Sequence, residues 1–427
     1  GIFMTKGTLN SSGNISVNEG SVGVNAEDST VNVNGGTHTI GANSIGFNLK
    51  GNSSLLANSG NISITGKGSV AYLFEGVNLT SDTNFKDNLT LTATNGYTYI
   101  NLTNSTLNYK NQKTINNDET IFVNSKNSTV NLLEGNNISS TKNKVVGVYS
   151  EGGVVSNAGK MTLMGDGSSA LYSKGAATVN GAPGKITIGA NGSGIYVVNA
   201  GSTGSNYGEI TIGAGSVGMR AENGKIKNNS TGKISSTVEK ATGMSQSGNE
   251  NLENEGTITL TGNQSVGMHS EGVTAAGHQM INKGIVTVGH SATATSPSIG
   301  MYAANTDKTT IVNNGKVIAG NKSTGIYGGN ITLNNNSETS AGNGGIGVYS
   351  KGGTVDIKEN AKISVGDTLG DKQEGVGVYL AGNNQTLNSD TDNLTIGKGS
   401  FGYVMTGQGN TVRTGKAGTT RMINLTH

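Results

Sequence analysis

A short motif, apolar–Gly–apolar–(Tyr/Asn)–x–x–Gly, returns from end to end of the chain. It reads SVGVNAED at Ser21, SIGFNLKG at Ser44, VVGVYSEGG at Val145, SVGMRAENG at Ser216, SVGMHSEG at Ser265, SIGMYAAN at Ser298, GIGVYSKGG at Gly345 and GVGVYLAG at Gly375. Self-similarity at a fixed period constrains a fold more than any local propensity, because each unit must bury its apolar face against the next. With the small central residue as marker, the repeat falls at Gly23, Gly46, Ala71, Gly147, Ala170, Gly194, Gly218, Gly243, Gly267, Gly300, Gly325, Gly347, Gly377 and Gly402. Most steps are about 22 to 25 residues, the length of one solenoid coil. Two degenerate copies, TYINLTNSTLNY at Thr98 and TIFVNSKNSTVNL at Thr120, bridge the long interval and put Tyr99 and Phe122 in the marker slot. Roughly sixteen coils with a period of about 24 residues then fill residues 1–427 as one continuous unit.

Each coil carries a second run: NISITG at Asn61, KMTLMG at Lys160, KITIGA at Lys185, EITIGA at Glu209, TITLTG at Thr257, IVTVGH at Ile285. These alternate β-branched and polar residues, so they read as strands, and N-x-G or x-x-G opens them. A weaker third run is STVNV at Ser29, STVNL at Ser128 and GTVDI at Gly353. Two or three short strands per coil, with Gly and Asn at corners that need left-handed backbone angles, predict an all-β parallel β-helix. Only two prolines occur, Pro183 and Pro297. A fully paired sheet rejects proline, which cannot donate to the ladder. Leucine-rich repeats share the period but need a leucine skeleton that this chain lacks.

Strand alternation assigns faces. The residue after each marker runs Val24, Phe47, Tyr72, Ile100, Val123, Val148, Leu171, Ile195, Met219, Met244, Met268, Met301, Ile326, Val348, Val378, Tyr403. All are apolar, so this column is expected inside. The next column should point out: Asn25, Asn48, Leu73, Asn101, Asn124, Tyr149, Tyr172, Tyr196, Arg220, Ser245, His269, Tyr302, Tyr327, Tyr349, Tyr379. The marker column is also expected outside, forming a floor of small residues beside a tyrosine ridge. Such a track could stack sugars or hold a protein partner; the same column equally describes like residues stacked between coils for stability.

Composition narrows the function. Net charge is +2 with no basic stripe, which argues against nucleic acid. Cysteine is absent, excluding disulfides and thiol chemistry. The carboxylates are sparse and form no column, whereas sugar-cleaving β-helices need them clustered for calcium or acid/base work. Asp390-Thr-Asp392 is the closest pair, and as a strand it would share a face. The five histidines fit no metal or triad spacing; His278 and His290, beside an insertion, are expected at the surface. The reading is non-catalytic, without cofactor or metal.

The repeats GVYSEGG, GMHSEG, GMYAAN and GVYSKGG, alternating with NxGxITI strands, in a Cys-free, Trp-free, Asn/Lys-rich chain, resemble the passengers of large fusobacterial autotransporter adhesins. The resemblance covers nearly the whole chain, departing at Tyr99 to Phe122. It implies a right-handed β-helix displayed on an outer membrane by a translocator β-barrel elsewhere in a longer parent chain. It also implies adhesion to host-cell or bacterial surface proteins or glycans. The alternatives are a stalk that spaces a distal tip and a polysaccharide-acting enzyme.

Insertions at residues 77–88, 291–298 and 366–374 interrupt the period, and inserts on solenoids often carry binding function. The last two both precede a marker strand and should leave the same corner. The candidate binding residues are therefore Thr295, Pro297, Asp367, Asp371 and Lys372 on these inserts, with Tyr302, Tyr327, Tyr349 and Tyr379 alongside.

Overall fold

The computed structural model describes residues 1–370 and 373–415; Asp371 and Lys372 lie outside the described residues. The fold is all-β, a parallel β-solenoid of about 17 turns with a period of about 24 residues. It divides into two compact units, Gly1–Thr203 and Gly204–His427. The turn beyond the expected sixteen is the first. Ile2–Thr5 pairs in parallel with Val22–Glu27, Ile2 opposite Val24, so Gly1 occupies a marker slot.

The degenerate turns keep register. Ile100 pairs with both Tyr72 and Val123, which places Tyr99 and Phe122 in the marker slot as the alignment required. The column after the marker is the core: every member from Val24 to Val378 is at most 1% exposed, and Tyr403 is half-buried. Met219, Met244, Met268 and Met301 stand opposite one another, an irregular apolar stack that flexible thioethers fill well.

The marker column itself points inward, against the expectation of an outer floor. Gly218, Gly243, Gly267, Gly300, Gly325, Gly347 and Gly377 are all buried. Alternation breaks here because two successive residues face the interior: Val217 pairs with Thr242 and Met219 with Met244, and the glycine between is skipped. A Cβ on Gly243 would stand 2.5 Å from the Gly267 carbonyl oxygen and 2.6 Å from Ile258 Cγ2 on the opposing strand. The marker is small because it is pinched between the next turn's backbone and the facing sheet, and no shallow floor exists beside the tyrosines.

The second runs form their own ladders. In the first unit Thr8–Ser11, Ile15–Val17, Thr30–Ile40, Ser54–Ile64, Phe85–Asp87 and Thr90–Ala93 make a six-stranded sheet. A separate ladder starts at Gln112–Ile115 and continues through Asn137–Ser140 and Lys160–Leu163 to Lys185–Ile188. In the second unit the same column runs from Glu209–Ile212 to Leu394–Ile396. The N-x-G that opens these strands has a buried purpose. In the second unit Asn206, Asn228, Asn254, Asn282 and Asn313 are fully buried, each amide donating to the next Oδ1 at 2.9, 2.8, 2.9 and 3.0 Å. The amide of Asn254 also donates to the Gly256 carbonyl, and that of Asn282 to the Gly284 carbonyl. A buried amide is tolerated only when so satisfied.

Candidate functional site

The outward aromatic column is a ladder of touching rings. In the second unit His269–Tyr302, Tyr302–Tyr327, Tyr327–Tyr349 and Tyr349–Tyr379 have centroids 5.2, 5.1, 5.0 and 5.1 Å apart. The first unit holds a shorter one, Tyr149–Tyr172–Tyr196, at 5.2 and 4.7 Å. The spacing is that of successive strands, so parallel in-register pairing alone brings the rings together. Two pairs are nearly parallel, His269–Tyr302 at 10° and Tyr327–Tyr349 at 5°. Those ring faces cover each other, leaving edges and hydroxyls to solvent, whereas sugar stacking needs an open face. Burial raises the Tyr327 and Tyr349 pKa values, and the neighbouring phenols add to it, so both stay protonated hydroxyls.

Both later inserts leave the same kind of corner, between a strand of the second ladder, Ile285–Val288 or Lys362–Val365, and the next marker strand. Thr295 is exposed and Pro297 half-buried. The neck of this insert is closed by the Ser298 amide donating to Ser291 Oγ at 2.6 Å, with Ser291 Oγ 2.7 Å from Ser323 Oγ. In the second insert Leu369 and Gln373 form a short antiparallel bridge, and Gln373 Nε2 donates to the Gly344 carbonyl at 2.7 Å. A chain of corner bonds runs from His290, just before the first insert, to Asp367 in the second. The backbone amides of Asn321, Asn343, Asp367 and Lys398 donate in turn to His290 Nδ1, Asn321 Oδ1, Asn343 Oδ1 and Asp367 Oδ1, at 2.9, 3.0, 3.0 and 2.7 Å. Asp367 is exposed, yet one carboxylate oxygen holds the corner. The tyrosines sit on the marker strands and the inserts on the corner before them. His290 is exposed as expected, but His278 is 2% exposed. It lies in strand His278–Asn282 opposite the buried Thr309, with Nε2 2.7 Å from Ser270 Oγ. Asp390 lies outside any strand and accepts from Arg413 at 2.6 Å.

His278 makes the fold acid-sensitive. Burial lowers its pKa below 6.5, opposed by the backbone of Asn249 and Glu250 and by the Glu250 carboxylate. The native state therefore binds fewer protons than the unfolded chain just below pH 6.5. Its contribution is complete above that pH and is lost as pH falls through the native value. Hydrogen-exchange protection at His278–Asn282, corrected for the intrinsic pH dependence of exchange, is expected to drop between pH 7.5 and 5, and to drop less in His278→Gln; equal losses would remove His278 as the cause.

Sequence reasoning missed one cluster entirely. Asp87 is 2% and Lys113 8% exposed, and Lys113 Nζ lies 3.2 Å from both carboxylate oxygens. The hydroxyls of Tyr72 and Tyr99 donate to Oδ1 at 3.2 and 2.7 Å, and that of Tyr109 to Oδ2 at 2.9 Å. The ammonium also stands 5.0 Å from the Tyr99 ring centroid. Burial first, then the Asp87 charge, pushes all three phenols well above their usual pKa. The signal was present in the columns. Lys113 stands opposite Ile138, and Asp87 opposite Ala57, so two charges occupy core slots.

This cluster lies where the stack is dislocated. The six-stranded sheet ends at Phe85–Asp87 and Thr90–Ala93, and the next ladder begins afresh at Gln112–Ile115. Side chains cross the gap instead of backbone. Asn111 Nδ2, Lys113 Nζ and Asn117 Nδ2 donate to the carbonyls of Asp87, Leu89 and Ala93 at 3.3, 3.0 and 2.5 Å. A recess of about 480 Å³ opens over it, lined by the 77–88 insert and residues 108–111. Among the described residues no group of three or more His, Cys, Asp and Glu is placed to hold a metal.

Residues 235–319 match a family model described as BigA fourth domain, and over these turns the chain is similar to that domain. The match spans about a fifth of the chain and supports an adhesin-type relationship, without fusobacterial specificity. Searches of the curated proteins and of the solved structures return no significant match.

Proposed function

We propose that this chain is an adhesive segment of a bacterial surface protein, non-catalytic and without cofactor. On this reading it is the passenger of an autotransporter, held at the outer membrane by a translocator barrel elsewhere in the parent chain. Its partner is a host-cell or bacterial surface protein or glycan. The carrying observation is the similarity of residues 235–319 to a BigA domain, on turns that hold both the start of the longer aromatic ladder and the insert at 291–298. A solenoid suits this role because nearest-neighbour stacking leaves the outer columns and corner loops free to vary.

The second reading is a stalk, favoured by the mutual covering of the ladder's ring faces. Adhesion separates the two. Residues 291–298 and 366–374 are replaced by the tight corner found at residues 320–323, and binding to host and bacterial cells is compared with the intact chain. Loss of at least about tenfold in binding, with unfolding unchanged, is expected for a surface whose energy is concentrated in a few residues. Unchanged binding moves the adhesive surface elsewhere, and no binding by the intact chain favours the stalk.

A further inference from the structure

The recess at the dislocation has walls that the chain itself braces. The 77–88 loop that forms one wall is closed on itself: the Ser81 amide donates to Asn84 Oδ1 at 3.0 Å, Asn84 Nδ2 to the Asn78 carbonyl at 2.7 Å, and the Phe85 amide to the Ser81 carbonyl at 3.0 Å. On the other wall Asn108 is held at both ends, donating to the Thr80 carbonyl at 3.2 Å and accepting from Asn131 at 2.8 Å. The walls are therefore set before any ligand arrives, which reduces the ordering cost of binding. A volume of about 480 Å³ falls within the range of small-ligand sites.

The charges in the recess point to the ligand. Lys86 and Lys110 both line it, and neither ammonium has a carboxylate partner among the described residues. Lys86 is half-buried. Two other half-buried lysines carry ion pairs, Lys227 with Glu253 and Glu255 and Lys50 with Glu75, whereas Lys308 and Lys358 share with Lys86 the lack of one among the described residues. A half-buried, unpaired ammonium gains from an incoming anion more than an exposed one does. Asp82 also lines the recess, while Asp87 is already neutralised by Lys113. The remaining excess is one positive charge, which suits a single anionic group and not a polyphosphate or a densely sulfated chain. Beside the apolar Phe85 and Leu133, the other lining groups are the Thr80 hydroxyl and the amides of Asn88, Asn108 and Asn111, and they match a ligand rich in hydroxyls.

We propose that this recess, between the 77–88 loop and residues 108–111, binds a sugar bearing one carboxylate, with Lys86 and Lys110 taking the charge and Asp82 and Asn88 the hydroxyls. The proposal rests on the surface-adhesion reading and supplies it with a ligand class. A terminal sialic acid and a uronate within a polymer present the same chemistry.

The test titrates the intact 427-residue chain with sialyllactose, a glucuronate oligosaccharide and lactose, read by saturation-transfer NMR. Saturable binding of at least one acidic sugar, absent for lactose, is expected, and the acidic sugar that binds identifies the source. Lys86→Gln and Lys110→Gln should each weaken it about tenfold or more, the loss of one charge-assisted contact. Lys225→Gln, at an exposed lysine of the second unit, should leave it unchanged. Thermal unfolding of each variant checks that the fold persists; both lysine side chains point away from the core, so it should. Binding of neither acidic sugar, lactose binding equally well, or equal effects of all three substitutions would overturn the proposal. Cell adhesion measured alongside separates the two readings. A chain that adheres without binding acidic sugars loses only the recess; one that does neither loses both.

Discussion

Replacing Asp87 with alanine is expected to open the first unit around the dislocation, at a local cost of about 3–5 kcal/mol. The substitution strands the buried Lys113 ammonium in the interior, and deprives the Tyr72, Tyr99 and Tyr109 hydroxyls of their acceptor. No backbone ladder joins Thr90–Ala93 to Gln112–Ile115, so along this seam the side-chain contacts carry the connection. Lys113→Met should be milder, because three phenol hydroxyls still donate to the carboxylate. Solenoids do not unfold as one two-state unit, so hydrogen exchange at Phe85–Asp87 and Gln112–Ile115 is the suitable measure. Equal protection in Asp87→Ala and the unmodified chain would show that the cluster does not hold the seam.

Met268→Asp should uncouple adjacent turns of the second unit. The side chain is fully buried opposite Met244 and Met301, where an unpaired carboxylate costs several kcal/mol even after taking up a proton. Tyr349→Asp, in the outward column, loses only ring contacts with Tyr327 and Tyr379, worth about 1 kcal/mol. Hydrogen-exchange protection at Val266–Glu271 and Ile299–Ala303 should fall far more in Met268→Asp than protection at Ile346–Ser350 does in Tyr349→Asp. Equal damage from both would place the tyrosine column in the core and overturn the assigned faces.

The repeat made most of the fold legible. Tyr99 and Phe122 were assigned to marker slots through sequences that barely retain the motif, and the residues flanking each pair as that alignment required. The first turn escaped because Gly1-Ile2 carries too little of the repeat to be seen without its partner Val24. The face of the marker was misread because strict alternation was extended through a point where the chain bends inward, and two consecutive residues cannot both be buried in a flat strand. His278 was placed outside because a histidine near an insert carries no local sign of burial; its partner Ser270 lies in the preceding strand.

The sequence alone determined the architecture and the core, since a column of apolar residues at one period has one way to be buried: turn upon turn. It also placed the aromatic column and the two inserts that share a corner. Only the tertiary structure decided what stands across the interior and across turns. It brought Asp87 to Lys113, set ring face against ring face, and opened the recess where one ladder stops before the next begins. Those outcomes depend on distances between residues about a turn apart in sequence, and on a break in pairing. Neither is encoded in a repeat, because a repeat records what each turn shares with its neighbours and not where one turn departs from them.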